Sequence, residues 1–424
     1  MRRWPKSSPT SGTTRPDGGA SFVGESVLEK PLDGVRILDL SALLAGPYGS
    51  MVLADLGADV IKIEVPGRGD LVRTMPPHYV GETSAYFIAL NRNKRGIFLN
   101  LKDEEGYRVF CEMVKRSDVV YDNYRPGVLE RLGADYETLK VVNPRIISAS
   151  VTGYGLTGPQ KDKPALDLII QGRGGIMSFT GEPGRPPVRL GVPMGDMGGG
   201  MFAAHGILAA LYKRERTGVG QKVDVSLLDS QLYLASYRAQ YYLTAGDVAE
   251  PMGTGHASAV PIGAYQCGDG KWLVLDAILD HFFESLCDAL GHPEWKDDPR
   301  MKDRPTRLEN REYVDAKLSE VYKTNTAAHW IERIDAHGVP CGPIQTIDEA
   351  LNDPQTRSRE MVVEMTHPEL GEMRTFNTPI KMEGTWGAAP SPPPLMGEHT
   401  EEVLKEVLDL SDAEIERLRE RKAI

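Results

Sequence analysis

Cysteine is scarce in this chain: the 424 residues hold four, Cys111, Cys267, Cys287 and Cys341, far apart and with no C-x-x-C pair. That spacing speaks against a disulfide framework and a cysteine-based zinc site, and it fits a reducing compartment, the cytoplasm or an organelle matrix. Long apolar runs are missing too. Hydrophobic residues make up 41% of the chain, yet no run reaches the roughly 18 residues that cross a bilayer, so no membrane partner is expected. Positive charge is in deficit, with 49 Lys and Arg against 60 Asp and Glu and a formal net charge of −11. Nucleic acid needs a concentrated positive field and is not an expected partner; any anionic ligand requires a local cluster of cations. The opening MRRWPKSSPTSGTTRPDGG lacks the apolar centre of a secretory signal, and its Pro, Gly, Ser and Thr bury little. Residues 1–30 are therefore expected to form a disordered tail.

From Val35 onward, short β-branched runs alternate with helical stretches: VRILDLS, PYGSMVLADLG, DVIKIEV, GIFLNL, DEEGYRVFCEMVKRS, DVVYDNY, RIISASVTG. Parallel strands need long crossovers, so this alternation predicts a doubly wound, Rossmann-like α/β domain over residues 31–230. A Gly- and Pro-rich stretch, TAGDVAEPMGTGHASAVP, marks a linker and lid within 231–261. A smaller α/β domain is expected over 262–350, opening on a strand pair around a D-G turn, and 351–424 reads as a Pro-rich crossing with two C-terminal amphipathic helices. Ligands on doubly wound sheets bind beyond the carboxyl ends of the strands, which directs attention to residues 44–47, 66–70 and 123–127. The first strand is followed by LSALLAGPYGS, with no G-x-G-x-x-G, and PGRGD has no Walker lysine, so a dinucleotide is not supported.

One acid stands at a conspicuous place. In LGVPMGDMGGGMFAAHGILAALYKR, Asp196 precedes Gly198, Gly199 and Gly200 at the start of a long apolar helix. An aspartate there can cap the helix. Capping does not call for three glycines, each of which weakens a helix and is tolerated mainly where something approaches the backbone closely, so the triplet predicts a bound ligand.

Taken together, PLDGVRILDLSALLAGPYGSMVLADLGADVIKIEVPGRGD, NRNKRGIFLNLKDEEG, DNYRPGVLERLG, SVTGYGLTGP, GDMGGGMFAAHGILAAL, GVPCGPI and PPLMGEHTEEVL resemble the family III CoA-transferases, over most of the chain from Pro31 to about Leu408. The resemblance implies an interlocked homodimer that uses a coenzyme A thioester as substrate, with no metal and no tightly bound cofactor. It makes Asp196 the nucleophile, passing through an acyl-aspartyl anhydride and an aspartyl-CoA thioester. A carboxylate of ordinary pKa near 3.9 is ionised at neutral pH and suits that role, and glycine N–H groups beside it would stabilise the oxyanion. The same resemblance places Lys102, Asn123 and Arg131 on the nucleotide and phosphates, Leu99 and Leu101 beside the adenine, and Ala45 of the A-G-P loop with them. Arg68 and Arg73 add charge on that face. Taken singly, Lys102 is a surface lysine at a helix start and Arg131 a cation at a helix end.

The superfamily also holds α-methylacyl-CoA racemases, which carry a histidine before an aspartate upstream of the nucleophile. Here Leu166 precedes Asp167, and leucine moves no proton, so two-base chemistry lacks a partner. Formyl-CoA:oxalate transferases carry a glutamine where this chain has Leu44, and a lysine and tyrosine where it has Pro164 and Leu166. Its lid, with Gly253, Gly255 and His256, is shorter and resembles that of the branch acting on succinyl-CoA and dicarboxylates. His256 is either a ligand for the acceptor carboxylate or a solvated loop histidine. His337 and Cys341 lie in a Gly-Pro turn and read as structure. An acyl-CoA isomerase or racemase, and a CoA-binding protein without catalysis, are the alternative functions.

Overall fold

The computed structural model describes residues 30–382 and 389–424; the expected tail, apart from Lys30, lies outside them. Six strands form the central sheet: β1 (Arg36–Asp39), β2 (Asp59–Glu64), β3 (Lys94–Phe98), β4 (Val119–Asp122), β5 (Ile147–Thr152) and β6 (Lys222–Ser226). They run parallel in the order β3-β2-β1-β4-β5-β6. Both faces of such a sheet are covered, so its inner strands read as apolar runs rather than alternations, as RILD, DVIKIE and VVYD do. The order reverses between β1 and β4, and the crevice beyond their carboxyl ends is where such sheets take ligands.

The helices that cover the sheet are α1 (Ala45–Asp55), α2 (Ala85–Asn91), α3 (Glu104–Lys115), α4 (Val128–Leu132), α5 (Tyr136–Val142), α6 (Asp167–Arg173), α7 (Met194–Thr217) and α8 (Leu227–Leu234). On one face Leu38, Ile61 and Ile97 meet Phe110 and Met113 of α3, together with Val403, Leu404, Ile415 and Leu418 from the helices Thr400–Leu408 and Asp412–Glu420. On the other, Ile37, Val60, Val119 and Ile147 meet Leu53 of α1 and Ala203, Ala204 and Ile207 of α7.

The glycine triplet of α7 serves this packing. A β-carbon on Gly200 would lie 2.5 Å from the carbonyl oxygen of Ala45, and one on Gly49 would lie 2.7 Å from that of Gly200. One on Gly198 would lie 2.8 Å from Leu234 Cδ1, and one on Gly199 would run into Leu227 Cδ2. The close approach at Gly198 and Gly199 is made by α8 and by Val151 of β5, and α1 crosses α7 at Gly200.

Beyond α8 come α9 (Ser236–Ala245) and a second sheet of β7 (Ile262–Gln266), β8 (Trp272–Asp276) and β9 (Cys341–Pro343), antiparallel in the order β9-β8-β7. Gly270 turns the β7–β8 hairpin at a φ of 78°. Leu273, Leu275, Phe283, Val314, Leu318, Trp330 and Ile334 form the core under it. One element is absent from the sequence-based expectation: a hairpin of β10 (Val362–His367) and β11 (Gly371–Phe376), whose Met365 and Met373 pack on Ile88 of α2. It is half-exposed and polar on its outer face, so its two short runs did not stand out from the Pro-rich stretch around them.

Candidate active site

The crevice loop after β1 is held from three sides. Asp39 accepts from Ser41 N (2.9 Å), Ser41 Oγ (2.5 Å), Ser50 Oγ (2.6 Å) and Lys94 Nζ (3.2 Å). Lys62 Nζ donates to Ser41 O and to Asp70 Oδ2, both at 2.9 Å, and Asp70 Oδ1 accepts from Leu43 N at 3.2 Å. The Asn123 amide brackets Ala42, accepting from its N–H (2.9 Å) and donating to its carbonyl (2.7 Å). Leu43 is thereby kept at a φ of 67°, a conformation that costs a non-glycine residue about 1–3 kcal/mol and persists only where its surroundings over-determine it. Burial pushes Asp39 upward, but Lys94, Lys62 and the serine hydroxyls outweigh it and hold the carboxyl below its usual range. Burial, aided by Lys62, brings Lys94 down to about 8 against the pull of Asp39.

Behind this loop is a cavity of about 360 Å³ that Asp196 enters from the first turn of α7. Among the described residues none donates a hydrogen bond to the Asp196 carboxylate. Asp196 does not cap its helix: Asp167, from the start of α6, accepts from Gly195 N (2.8 Å) and Asp196 N (3.3 Å) and is itself held by Gln171 Nε2 (2.7 Å). Met197 N bonds to Pro193 O. The first-turn donors of Gly195, Asp196 and Met197 are thus occupied. Another helix start is open, since α1 has no side-chain cap at Leu44 and no acid in its first turn, and both Leu44 and Ala45 line the cavity. Its leading N–H groups have no intrahelical acceptor and carry the positive end of the helix dipole.

Burial, and secondarily the charge of Asp167, pushes Asp196 up to about 7. This corrects the ordinary carboxylate pKa assumed from the sequence. Tyr86, on the same cavity wall, is pushed up to about 12 by burial and by Asp196, Asp167 and Asp70, so its hydroxyl keeps its proton.

A second cavity, of about 630 Å³, lies beyond β2 and β3. Leu99, Leu101, Lys102, Arg68 and Arg131 all line it, and Tyr124 borders both cavities. Five residues predicted to hold CoA therefore converge. Three others do not join them, of which Ala45 lines the Asp196 cavity. Arg73 is buried in a bidentate pair with Glu64 (2.8 and 2.6 Å), donates to Pro394 O (3.0 Å) and stacks 3.7 Å over the Phe87 ring, leaving nothing for a phosphate. Asn123 lines the Asp196 cavity with both ends of its amide committed to Ala42.

The lid stands apart. Gly253 N bonds to Gly181 O, and a β-carbon there would strike the Glu182 carboxylate; Gly255 N bonds to Met252 O. His256 contacts the Tyr237 hydroxyl through Nε2 (3.2 Å) and accepts from Ser258 N at Nδ1 (3.3 Å), and its carbonyl accepts from Arg311 (2.6 Å). None of the three lines the Asp196 cavity. Leu166, at the racemase base position, does line it. Sequence reasoning reached Arg125 only as part of the loop 123–127 and missed Tyr86, Lys161 and Lys163, all on its wall; the available signal was their place on loops and a helix start beyond the carboxyl ends of the strands. Among the described residues no group of three or more His, Cys, Asp or Glu is placed to hold a metal ion, and no helix is long and apolar enough to cross a membrane.

A doubly wound sheet with a cation-lined cavity beyond the carboxyl ends of its strands is an architecture that takes an anionic ligand. The chain belongs to CoA-transferase family III, whose family model matches residues 32–400, and it is an enzyme of that family. It is 42% identical over 355 residues to the acetyl-CoA:oxalate CoA-transferase of Acetobacter aceti, covering 84% of this chain and 90% of the relative. To the succinyl-CoA:glutarate CoA-transferase of Mus musculus it is 39% identical over 389 residues, covering 92% and 89%. The crystal structure of a CAIB/BAIF family protein from Brucella suis matches with a TM-score of 0.79 at 35% identity, covering 89% of this chain and 100% of that one.

Proposed function

We propose that the protein moves CoA from succinyl-CoA to a dicarboxylic acid through Asp196. The observation that carries this reading is the carboxylate without a hydrogen-bond donor among the described residues, in a cavity that shares Tyr124 with the Lys102–Arg131 cavity. Asp196 attacks the thioester carbonyl and expels CoA thiolate, leaving an acyl-aspartyl anhydride. The thiolate then attacks the aspartyl carbonyl, the donor acid leaves, and an aspartyl-CoA thioester remains. The acceptor carboxylate reverses the two steps, so the thioester bond energy is conserved and no ATP is consumed. The open start of α1 at Leu44 and Ala45 is the source of positive potential for the oxyanion.

Racemisation is disfavoured by Leu166, which offers no base opposite Asp196. Relatives named for oxalate and for glutarate are similar at 42% and 39%, so the preference for longer dicarboxylates rests on Leu44, Pro164 and Leu166 at the positions that carry polar groups in the oxalate branch. The division at about residues 31–230 and 262–350, a homodimer with interlocked chains, and a location in the cytoplasm or an organelle matrix belong to the same proposal. The dimer is supported by α9, which buries none of its residues and leaves Tyr242 and Leu243 exposed.

The test is chemical trapping. Donor acyl-CoA without acceptor builds up an activated carbonyl on the enzyme, and hydroxylamine converts it to a hydroxamate that peptide mapping places on Asp196. Asp196→Ala abolishes transfer and keeps CoA affinity within a few-fold. Label on Asp167, or activity near the wild-type level in Asp196→Ala, overturns the assignment.

A further inference from the structure

The Asp196 cavity holds an excess of positive charge that the chemistry at Asp196 does not use. Among the described residues Asp196 is the only acid on its wall, against Arg125, Lys161 and Lys163. Buried cations of the large domain are paired, as Arg73 is with Glu64, Lys62 with Asp70 and Arg92 with Asp55. The side chains of Arg125, Lys161 and Lys163 have no ion pair or hydrogen bond among the described residues. They stand on two loops, residues 123–127 after β4 and 153–166 after β5, which the sheet brings to one rim.

These cations are not counter-ions of the nucleophile, because Asp196 is governed by burial and Asp167 with no contribution from any of them. CoA has separate cations, Arg68, Lys102 and Arg131, in the neighbouring cavity. What remains is an anion in the acyl chamber, at a distance from the reacting carbon. An acyl group or acceptor with a second carboxylate supplies it. That carboxylate stays ionised while the first reacts, and a cation beside it offsets the hydration it gives up on entering a cavity lined by Leu43, Leu44 and Val72.

We propose that Lys161 and Lys163, with Arg125, form the subsite for the far carboxylate of a dicarboxylic substrate. The inference rests on the reading of Asp196 above and adds to it the residues that choose the acid. A monocarboxylate of the same length leaves these three cations unpartnered and is bound less well.

The test compares succinate with its monomethyl ester, which differs by the far charge. Calorimetric titration of each, and of CoA, is carried out on the wild type, on the double variant Lys161→Ala/Lys163→Ala and on Lys163→Arg. Wild type favours succinate about tenfold or more. The double variant loses that preference with CoA affinity altered less than threefold, and Lys163→Arg retains it. The same ratio is read in turnover as kcat/KM for succinate over the ester. The subsite is overturned by a preference that persists in the double variant, by no preference in the wild type, or by CoA affinity falling as much as that of succinate, which would place the lysines on the CoA phosphates. Hydroxylamine labelling keeps the two readings apart: a lysine-dependent preference without label on Asp196 sinks the nucleophile alone, and label without lysine dependence sinks the subsite alone.

Discussion

At the scale of single residues, the elevated Asp196 sets the pH behaviour. With Asp196 as the proposed nucleophile, attack requires the ionised carboxylate, and kcat/KM for the donor is expected to rise from pH 5 to pH 8 with a midpoint near the value of about 7. Asp167→Asn keeps an oxygen for the Gly195 and Asp196 N–H groups but removes the charge, and the midpoint moves down; an unmoved pH–rate profile would show that Asp167 exerts no field there. Stability follows with the opposite sign. The folded chain holds the Asp196 proton up to about pH 7 while the unfolded chain releases it near 4, so this site's contribution is fully present below pH 4 and is lost as pH rises through 7. Asp196→Asn is then more stable than wild type at pH 8, by up to about 4 kcal/mol, and no more stable at pH 3.5. Urea midpoints at the two pH values check this. On the CoA side, Lys102→Ala and Arg131→Ala raise KM for acyl-CoA about tenfold or more with a smaller change in kcat, whereas Arg73→Ala acts on stability through its pair with Glu64. An Arg73→Ala protein that is fully stable but binds CoA weakly would contradict the buried pairing.

At the scale of elements, α7 is a helix whose first turns are shaped by what crosses them. Gly200→Ala places a methyl group 2.5 Å from the Ala45 carbonyl and 3.0 Å from Gly49 N, both backbone atoms that cannot rotate away. A loss of about 1–3 kcal/mol follows from such overpacking, together with displacement of Leu44 and Ala45 from the cavity wall. A denaturation midpoint equal to that of the wild type would mean that α1 and α7 do not meet this closely. The strands of the large sheet were legible in sequence because each is a short apolar run between turn residues. The β10–β11 hairpin was not, since its fully buried residues are only Met365, His367, Met373 and Thr375 and most of its exposed ones are polar. His256 shows the same limit: its glycine-rich neighbourhood looked like a ligand loop, but its ring meets Tyr237 and Ser258, which no local pattern pairs with it.

For the whole molecule, the proposed dimer is tested by its mass, α9 being a helix that buries none of its residues within one chain. Sedimentation velocity should give about twice the 46.6 kDa of one chain; a stable monomer with full activity would rule out the interlocked dimer. The sequence by itself determined the alternation that builds the parallel sheet, the carboxylate at Asp196, the leucine at 166 that removes a base, and the cluster of Leu99, Leu101, Lys102 and Arg131. Those are matters of residue type and local spacing. Tertiary structure alone decided which charges are spent and which are available. Arg73 is taken by Glu64 and by Pro394, 321 residues away, while Lys161 and Lys163 keep theirs at the rim. Asp196 is raised to about 7 by burial and by an aspartate on another helix. Ion pairing and desolvation depend on distance through space, and the sequence orders residues only along the chain.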